Sequence, residues 1–309
     1  MNDRPAGHFG AGETPAMSTL PSSEGLKMAL KINRLSDALG AEATGIDFGK
    51  PLDDATVRAL EDAFLEHHLL CLRATPLEPA EFSRVSRHFG EPQLQLTRKR
   101  RHGEVPEVSV LDSTYEKPED KPSDLRMKRL TGWHTDDSYF AKPAKATILQ
   151  SLEIPDTGGE TKFCNLRAAY DDLPEDKKKA LDGLKAVHSY DTLRSPARAE
   201  KRLKVEEEET PDVVHPLIRT HEDTGRKAIY LNANRTDHIV GMPRAESDAL
   251  LDELHDHMTQ PKYQYHHKWR VGDFLVWDNR CLVHSVNMDF PVGQKRRHQR
   301  ILLSGTAPI

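Results

Sequence analysis

Along this chain the apolar residues gather into short runs and short alternations, and only a few stretches repeat at helical spacing. "ALKINRLSDALGAEATGIDF" reads as short strands broken at Gly40 and Gly45. Asp53 and Asp54 can cap a helix whose Val57, Leu60, Ala63 and Phe64 follow a helical period. "LLCLR" (69–73) predicts a buried strand, and Pro79 to His88 a second helix. Residues 92–132 carry "RKRRH", several prolines and "EKPEDKP" with no apolar period, which predicts one long loop, of the kind that is a functional lid or is poorly ordered.

The second half continues in short pieces. "ATILQSLEI" (146–154) predicts a strand closed by the turn "PDTGGE", and a helical stretch runs from Leu166, re-started at Pro174. "AEKRLKVEEEET" (199–210) is charge-dense and predicts an exposed excursion. "DVVHPLIRTHEDTGRKAIYLN" predicts two strands joined by "EDTGR", and "ESDALLDELHDHM" (246–258) an amphipathic helix. "YQYHHKWRVGDFLVWDN" and "HQRILLSG" add further strands. Many short strands with few helices, not in strict alternation, predict a mainly β fold: a sandwich or barrel with helices packed outside.

Composition narrows the setting. The first 26 residues are rich in Gly, Pro, Ser and Thr and lack the apolar core of a secretory signal, so a disordered N-terminal tail is expected. No run approaches the roughly 18 apolar residues of a membrane span. The net charge of −5, from 44 basic and 49 acidic residues, gives no general drive toward nucleic acid or an anionic membrane. Cys71, Cys164 and Cys281 form no spaced cluster, which points to buried thiols in a reducing compartment and a cytoplasmic location.

The candidate chemistry starts in "GWHTDDSYF" (132–140). In an extended segment His134 and Asp136 leave on the same face, for a surface hydrogen bond or for a metal. A second His-x-Asp pair, His221 and Asp223, precedes Thr224-Gly225, where a short acid is favoured by turn geometry. The first pair is therefore the candidate. A third ligand stands at His284, just after the apolar strand in "GDFLVWDNRCLVHSV"; His266 and His267 compete less well, because adjacent strand residues face opposite sides. Two histidines and a carboxylate with open positions are the ligand set of non-haem Fe(II) oxygenases, and zinc accepts a similar set. Such iron needs an electron source, and 2-oxoglutarate in that role needs a cationic clamp. In "GQKRRHQRILLSG", Arg296, His298 and Arg300 share one strand face, with Arg297 and Gln299 on the other. Arginines aimed inward need buried anions, for which carboxylates are the natural partners.

"WHTDDSYF", "PDTGGETKFCNLRAAYDDLP", "HPLIRTHEDTGRKAIYLN", "WRVGDFLVWDNRCLVH" and "RRHQRILLSG", in that order, resemble the taurine dioxygenase and dichlorophenoxyacetate dioxygenase family, TauD/TfdA. The resemblance runs from about residue 30 to the end, and residues 27–309 are taken as one dioxygenase domain. It implies a double-stranded β-helix (jelly-roll) core and an Fe(II)- and 2-oxoglutarate-dependent hydroxylation that releases succinate and CO2. It places His134, Asp136 and His284 on the iron, and Thr161 and Arg296 on the distal carboxylate of 2-oxoglutarate, with Arg297 as the neighbouring alternative. Arg300 falls on the arginine that meets the anionic group of the prime substrate. Gln95, in "FGEPQLQL", stands where taurine dioxygenase has a histidine on the sulfonate; a neutral amide argues against taurine and toward an aryloxy or alkyl carboxylate. Expected partners are a small organic anion, O2 and copies of the same chain. Two rival readings are a zinc hydrolase on the same three ligands and a nucleic-acid-binding module built on "RKRRHGE" (98–104). The first leaves the inward arginines without a role, and the second lacks interleaved aromatics for stacking.

Overall fold

A computed structural model describes Met1, residues 29–198 and residues 201–309. The expected tail over residues 1–26 lies, apart from Met1, outside the described residues. Strands β1 (Lys31–Arg34) and β2 (Ala41–Thr44) form an antiparallel pair that turns at Gly40, whose φ of +90° suits a residue without a Cβ. Helix α1 (Asp54–His67) starts where the Asp53 side chain accepts from the Thr56 amide at 2.8 Å, and β3 (Leu69–Leu72) follows it fully buried. Helix α2 (Pro79–Ser86) ends two residues before the expected His88.

The predicted long loop at 92–132 is more structured than its sequence suggests. It contains β4 (Pro92–Gln93), β5 (Ser109–Asp112) and α3 (Asp124–Leu130). Both strands pair with the C-terminal strand described below, so a distant partner, not a local apolar period, makes them strands. Next come β6 (Ala146–Glu153), β7 (Thr161–Asn165), α4 (Leu166–Asp171), α5 (Glu175–Leu181) and β8 (Lys185–His188). The charge-dense excursion contains a short helix, α6 (Lys204–Glu208), and its Glu206 is buried.

The region expected as two strands holds three: β9 (Val213–Pro216), β10 (Ile218–Thr220) and β11 (Lys227–Ile229). Only β10 and β11 form the hairpin, while β9 pairs with β8. The chain closes with β12 (Thr236–Ile239), α7 (Arg244–Met258), β13 (Gln264–His267), β14 (Phe274–Asp278), β15 (Leu282–Val286) and β16 (Arg297–Leu303).

The major sheet runs β1-β2-β3-β14-β6-β16-β4, with β5 also on β16; a second sheet runs β13-β7-β15. Strand alternation divides the core in two. Leu70, Leu72, Ile148, Phe274, Val276 and Ile301 face α1 and α2, packing with Leu60, Phe64, Phe82 and Val85. Leu69, Leu149, Leu275 and Trp277 belong to the other core, with Phe163, Cys164, Leu282 and Val283 of the second sheet. This two-sheet arrangement is the expected mainly β jelly-roll core with helices outside. No helix among the described residues is long and apolar enough to cross a membrane.

Candidate active site

His134 and His284 meet through their backbones before their side chains. The His134 amide donates to the His284 carbonyl at 2.9 Å and the His284 amide to the His134 carbonyl at 2.7 Å, which ties the 132–140 segment to β15. The two rings stand 4.1 Å apart between centroids. Asp136 completes the group: one ligand atom from each of the three residues lies within 4.8 Å of the others. The expected extended geometry ends at this carboxylate. Asp137 has φ +58°, a left-handed conformation that Asp tolerates better than most residues, and a turn follows. That turn sends the Asp137 carboxylate away to the Gln93 amide at 2.8 Å and the Tyr139 hydroxyl at 2.9 Å.

Neighbours fix each of the three side chains. His134 Nδ1 donates to the Gly132 carbonyl at 2.9 Å; a carbonyl only accepts, so Nδ1 carries the proton and Nε2 keeps its lone pair. The His284 ring lies 4.9 Å from Trp277 and 6.2 Å from Phe163, and its Nδ1 is buried without a partner among the described residues. Asp136 Oδ2 accepts from the Thr147 hydroxyl at 2.6 Å. Thr147 in turn accepts from the Asn279 amide at 2.8 Å, and Asn279 Oδ1 accepts from Trp277 at 3.1 Å. Thr147 and Asn279 were not singled out from the sequence. Their only signals were one threonine inside the apolar "ATILQ" and the asparagine of "WDN".

The charge states suit a cation. Burial opposes ionisation of Asp136, but His284, Arg300, His134 and the Thr147 bond outweigh it and hold the carboxyl at about 2. Burial pushes His284 down to about 3 and lowers His134 as well, leaving neutral imidazoles. Burial, with Asp136 alongside, raises Asp137 to about 6.

Two other buried clusters have ligand-like composition: His221, Asp278 and Cys281, and Cys71, His267 and Asp273. In each, the carboxylate is already taken by an arginine. Asp278 accepts from Arg280 at 2.8 and 2.7 Å and Asp273 from Arg73 at 2.7 Å. By contrast, Arg300 stands 3.8 Å from Asp136, and the cleft above the triad is open. His221 bonds Asp278 at 2.9 Å instead of its sequence neighbour Asp223, which pairs with Arg280.

Arg296, one residue before β16, and the arginines of β16 separate as the alternation predicts. Arg296 is 5 % exposed, donates to the Gly159 carbonyl at 3.1 Å and reaches Thr161 Oγ1 at 3.4 Å. It has no carboxylate partner among the described residues, and burial pushes its guanidinium down to about 10. Arg297 faces the opposite way, paired with Glu153 at 2.5 Å. Thr161 and Phe163 share one face of β7, and Phe163 lies opposite His284 in register, so Thr161 sits two strand residues from the triad on the same side. Arg300 donates to Gln95 Oε1, so these two candidates also meet.

Residues 31–302 match the family described as Taurine catabolism dioxygenase TauD, TfdA family. The chain belongs to that family. It is 35 % identical over 240 residues to the alpha-ketoglutarate-dependent 2,4-dichlorophenoxyacetate dioxygenase of Burkholderia sp. (strain RASC), covering 75 % of this chain and 80 % of that one. It is 31 % identical over 303 residues to the alpha-ketoglutarate-dependent sulfate ester dioxygenase of Pseudomonas putida, covering 95 % and 94 %. The crystal structure of a taurine dioxygenase from Burkholderia xenovorans superposes with a TM-score of 0.77 at 30 % identity, covering 91 % of each chain. The protein is accordingly an Fe(II)- and 2-oxoglutarate-dependent dioxygenase.

In this dioxygenase the three-residue cluster opens on a cleft of about 240 Å³, lined by His134, Asp136, Gln95 and Arg300 among others. A second cavity of about 300 Å³ lies beside Arg296, Gly159 and Trp269. The Trp269 indole donates to Thr161 Oγ1 at 3.0 Å, so Thr161 touches both the arginine and the wall of that cavity. The basic run at 98–102 is turned toward acids: Arg98 binds Glu209, its amide donates to Glu206 at 3.0 Å, and Arg101 donates to the Gln95 carbonyl at 2.7 Å. Of this run, Arg100 lines the cleft.

Proposed function

We propose that His134, Asp136 and His284 hold the iron of this dioxygenase, and that Arg296 with Thr161 holds the distal carboxylate of 2-oxoglutarate. The donor set fits the metal: two neutral imidazoles, one ionised carboxylate, and ligand atoms within 4.8 Å of one another. The observation that carries the cosubstrate reading is Arg296, a buried guanidinium without a carboxylate partner, beside a hydroxyl and a cavity. A buried charge left unpaired is costly, and a dicarboxylate supplies the missing partner.

When bound, iron supplies oxygen activation coupled to decarboxylation of 2-oxoglutarate to succinate and CO2. The chain's own residues then have three tasks. The Gly132 carbonyl and the Thr147–Asn279–Trp277 relay keep His134 and Asp136 in the ligating tautomer and orientation. Phe163 and Trp277 pack beside His284 and exclude water from it. Arg300, steadied by Gln95, meets the anionic group of the prime substrate beside the metal.

The proposed prime substrate is a small organic anion, with a carboxylate favoured over a sulfonate because Gln95 supplies no imidazolium. Relatives named for a phenoxyacetate and for sulfate esters support the anion and leave its type to Gln95 and Arg300. Hydroxylation at a carbon next to an ether oxygen gives a product that falls apart. Residues 27–309 act as one catalytic domain. The three buried, free cysteines support a reducing, cytoplasmic setting.

The test is substitution of each proposed ligand. His134→Ala, Asp136→Ala and His284→Ala should each abolish stoichiometric iron binding and succinate formation, whereas His221→Ala should retain iron. Full iron occupancy in Asp136→Ala, or its loss in His221→Ala, would show that the metal sits elsewhere.

A further inference from the structure

Away from Arg300, the wall of the metal cleft is made of arginine and tyrosine instead of aliphatic side chains. Arg129 and Arg235 both donate to the Tyr190 carbonyl, so two guanidiniums converge on one oxygen. Arg235 is sandwiched against Tyr139 and Tyr190, 4.9 and 4.4 Å from their ring centroids. Arg129 is 10 % exposed and is held by Ser195, the Ala197 carbonyl at 2.8 Å and Asp191 at 3.6 Å. Asp191 also serves Arg198, at 3.2 Å, so one carboxylate is divided between two arginines. Arg235 has no carboxylate partner among the described residues. Arg235 and Arg300 both line the cleft that holds His134 and Asp136.

This leaves an electrostatic imbalance. Arg129, Arg235 and Arg300 line the cleft together with Asp136 and Asp137, and among the described residues Leu130 is the only aliphatic side chain in its lining. A monoanionic substrate docked on Arg300 would present its uncharged end to Arg129 and Arg235, which then lose water without gaining a partner. A second anionic group at that end relieves both costs. We propose that Arg129 and Arg235 form a second anion site in the cleft, and that the prime substrate is a small organic dianion with one anionic group toward Arg300 and the other toward Arg235. The inference rests on the dioxygenase reading and on Arg300 as the first anchor. The tyrosines have a matching role: they fix the Arg235 fork so that little side-chain entropy is lost on binding.

The experiment uses the full chain loaded with Fe(II) and saturating 2-oxoglutarate under nitrogen, so that the cosubstrate site is filled before any probe is added. Linear α,ω-dicarboxylates of graded length are each compared with their monomethyl ester by equilibrium dialysis. The expected result is a chain length at which the dianion binds about tenfold or more tightly than its monoester, the worth of one charge-assisted contact. In Arg235→Gln that ratio should fall to near one, Arg235→Lys should restore part of it, and Arg300→Gln should weaken both members together. Thermal unfolding of each variant shows that the fold persists, and Arg129→Gln offers a second route should Arg235→Gln unfold. If no dicarboxylate outbinds its monoester, or if the ratio survives in Arg235→Gln, the second anion site is refuted. Iron-dependent succinate formation by the unaltered enzyme without a prime substrate separates this from the underlying reading. Its presence with no dianion preference sinks the second site alone, and its absence sinks both.

Discussion

Arg296 and Arg297 are adjacent in the chain and opposite in environment, one buried beside Thr161 and the other paired with Glu153 at the surface. Arg296→Ala should weaken 2-oxoglutarate binding by about 2–5 kcal/mol, as for other truncated buried charge pairs, while Arg297→Ala should change it by less than about 0.5 kcal/mol. Thr161→Val should cost about 1–3 kcal/mol. Titrating 2-oxoglutarate into the anaerobic Fe(II) protein and following the metal-to-ligand absorption band measures all three; a collapse in Arg297→Ala would move the assignment by one residue. Asp278 makes a different prediction, about stability. Burial opposes its charge, but Arg280 and His221 outweigh it and hold the carboxyl well below the usual range. A depressed carboxyl contributes stability that is full above its unfolded value of about 3.9 and is lost as the pH falls below it. Asp278→Asn removes the buried carboxylate that holds Arg280 Nε and Nη2, leaving that arginine only the more exposed Asp223 and Glu222, and should destabilise the fold at pH 7 by about 3 kcal/mol. Urea titrations should show the gap between the two proteins narrowing below about pH 4; a gap independent of pH would contradict the pairing.

At the scale of elements, the turn "PDTGGE" between β6 and β7 decides where Arg296 sits. Gly158 and Gly159 have φ of +73° and +71°, and a Cβ on Gly159 would lie 3.2 Å from Arg296 Nε. Gly159→Ala adds about 1–2 kcal/mol of left-handed strain and crowds the guanidinium. The expected outcome is 2-oxoglutarate binding weakened about tenfold with iron affinity unchanged; equal loss of both would mean that the turn supports the whole core instead of the clamp. The turn itself was legible, because two consecutive glycines before a strand announce it, whereas β5 was not. "SVLD" is four residues set among charges and prolines, and only the ladder to β16 makes it a strand. Likewise "VEEE" reads as solvated charge, yet Glu206 is buried because it accepts from the Arg98 and Leu203 amides at 3.0 and 2.9 Å.

At the scale of the whole molecule, that last contact joins the acidic excursion to the basic turn, whose Thr97 and Arg100 line the cleft. Glu206→Ala should release α6 from residues 98–101, raise KM for the prime substrate more than it lowers kcat, and lower Tm by a few degrees, about 1–2 kcal/mol for two lost amide bonds. Limited proteolysis should then cut near Lys204 or Arg98 earlier than in the unaltered protein; an unchanged cutting pattern with unchanged KM would show that α6 is no lid. By itself the sequence determined the β-rich class, most strand positions and the inward face of β16, and it singled out His134, Asp136 and His284 as candidates that the fold brings together. These follow from short-range rules: period-two alternation, turn glycines, and the His-x-Asp spacing within one short segment. It also left Arg296 and Arg297 as alternatives, because the register across the loop after His284 is not a local property. Tertiary structure gives the two different surroundings: Arg296 is buried beside Thr161, and Arg297, opposite Glu153 where β16 pairs with β6, meets that carboxylate. It alone also brought Thr147 and Asn279 behind Asp136, folded the basic turn onto α6, and set Arg129 and Arg235 in the same cleft as Arg300. Each of those contacts joins residues far apart in the chain, and which distant side chains meet depends on how two sheets twist and stack, which no local pattern encodes.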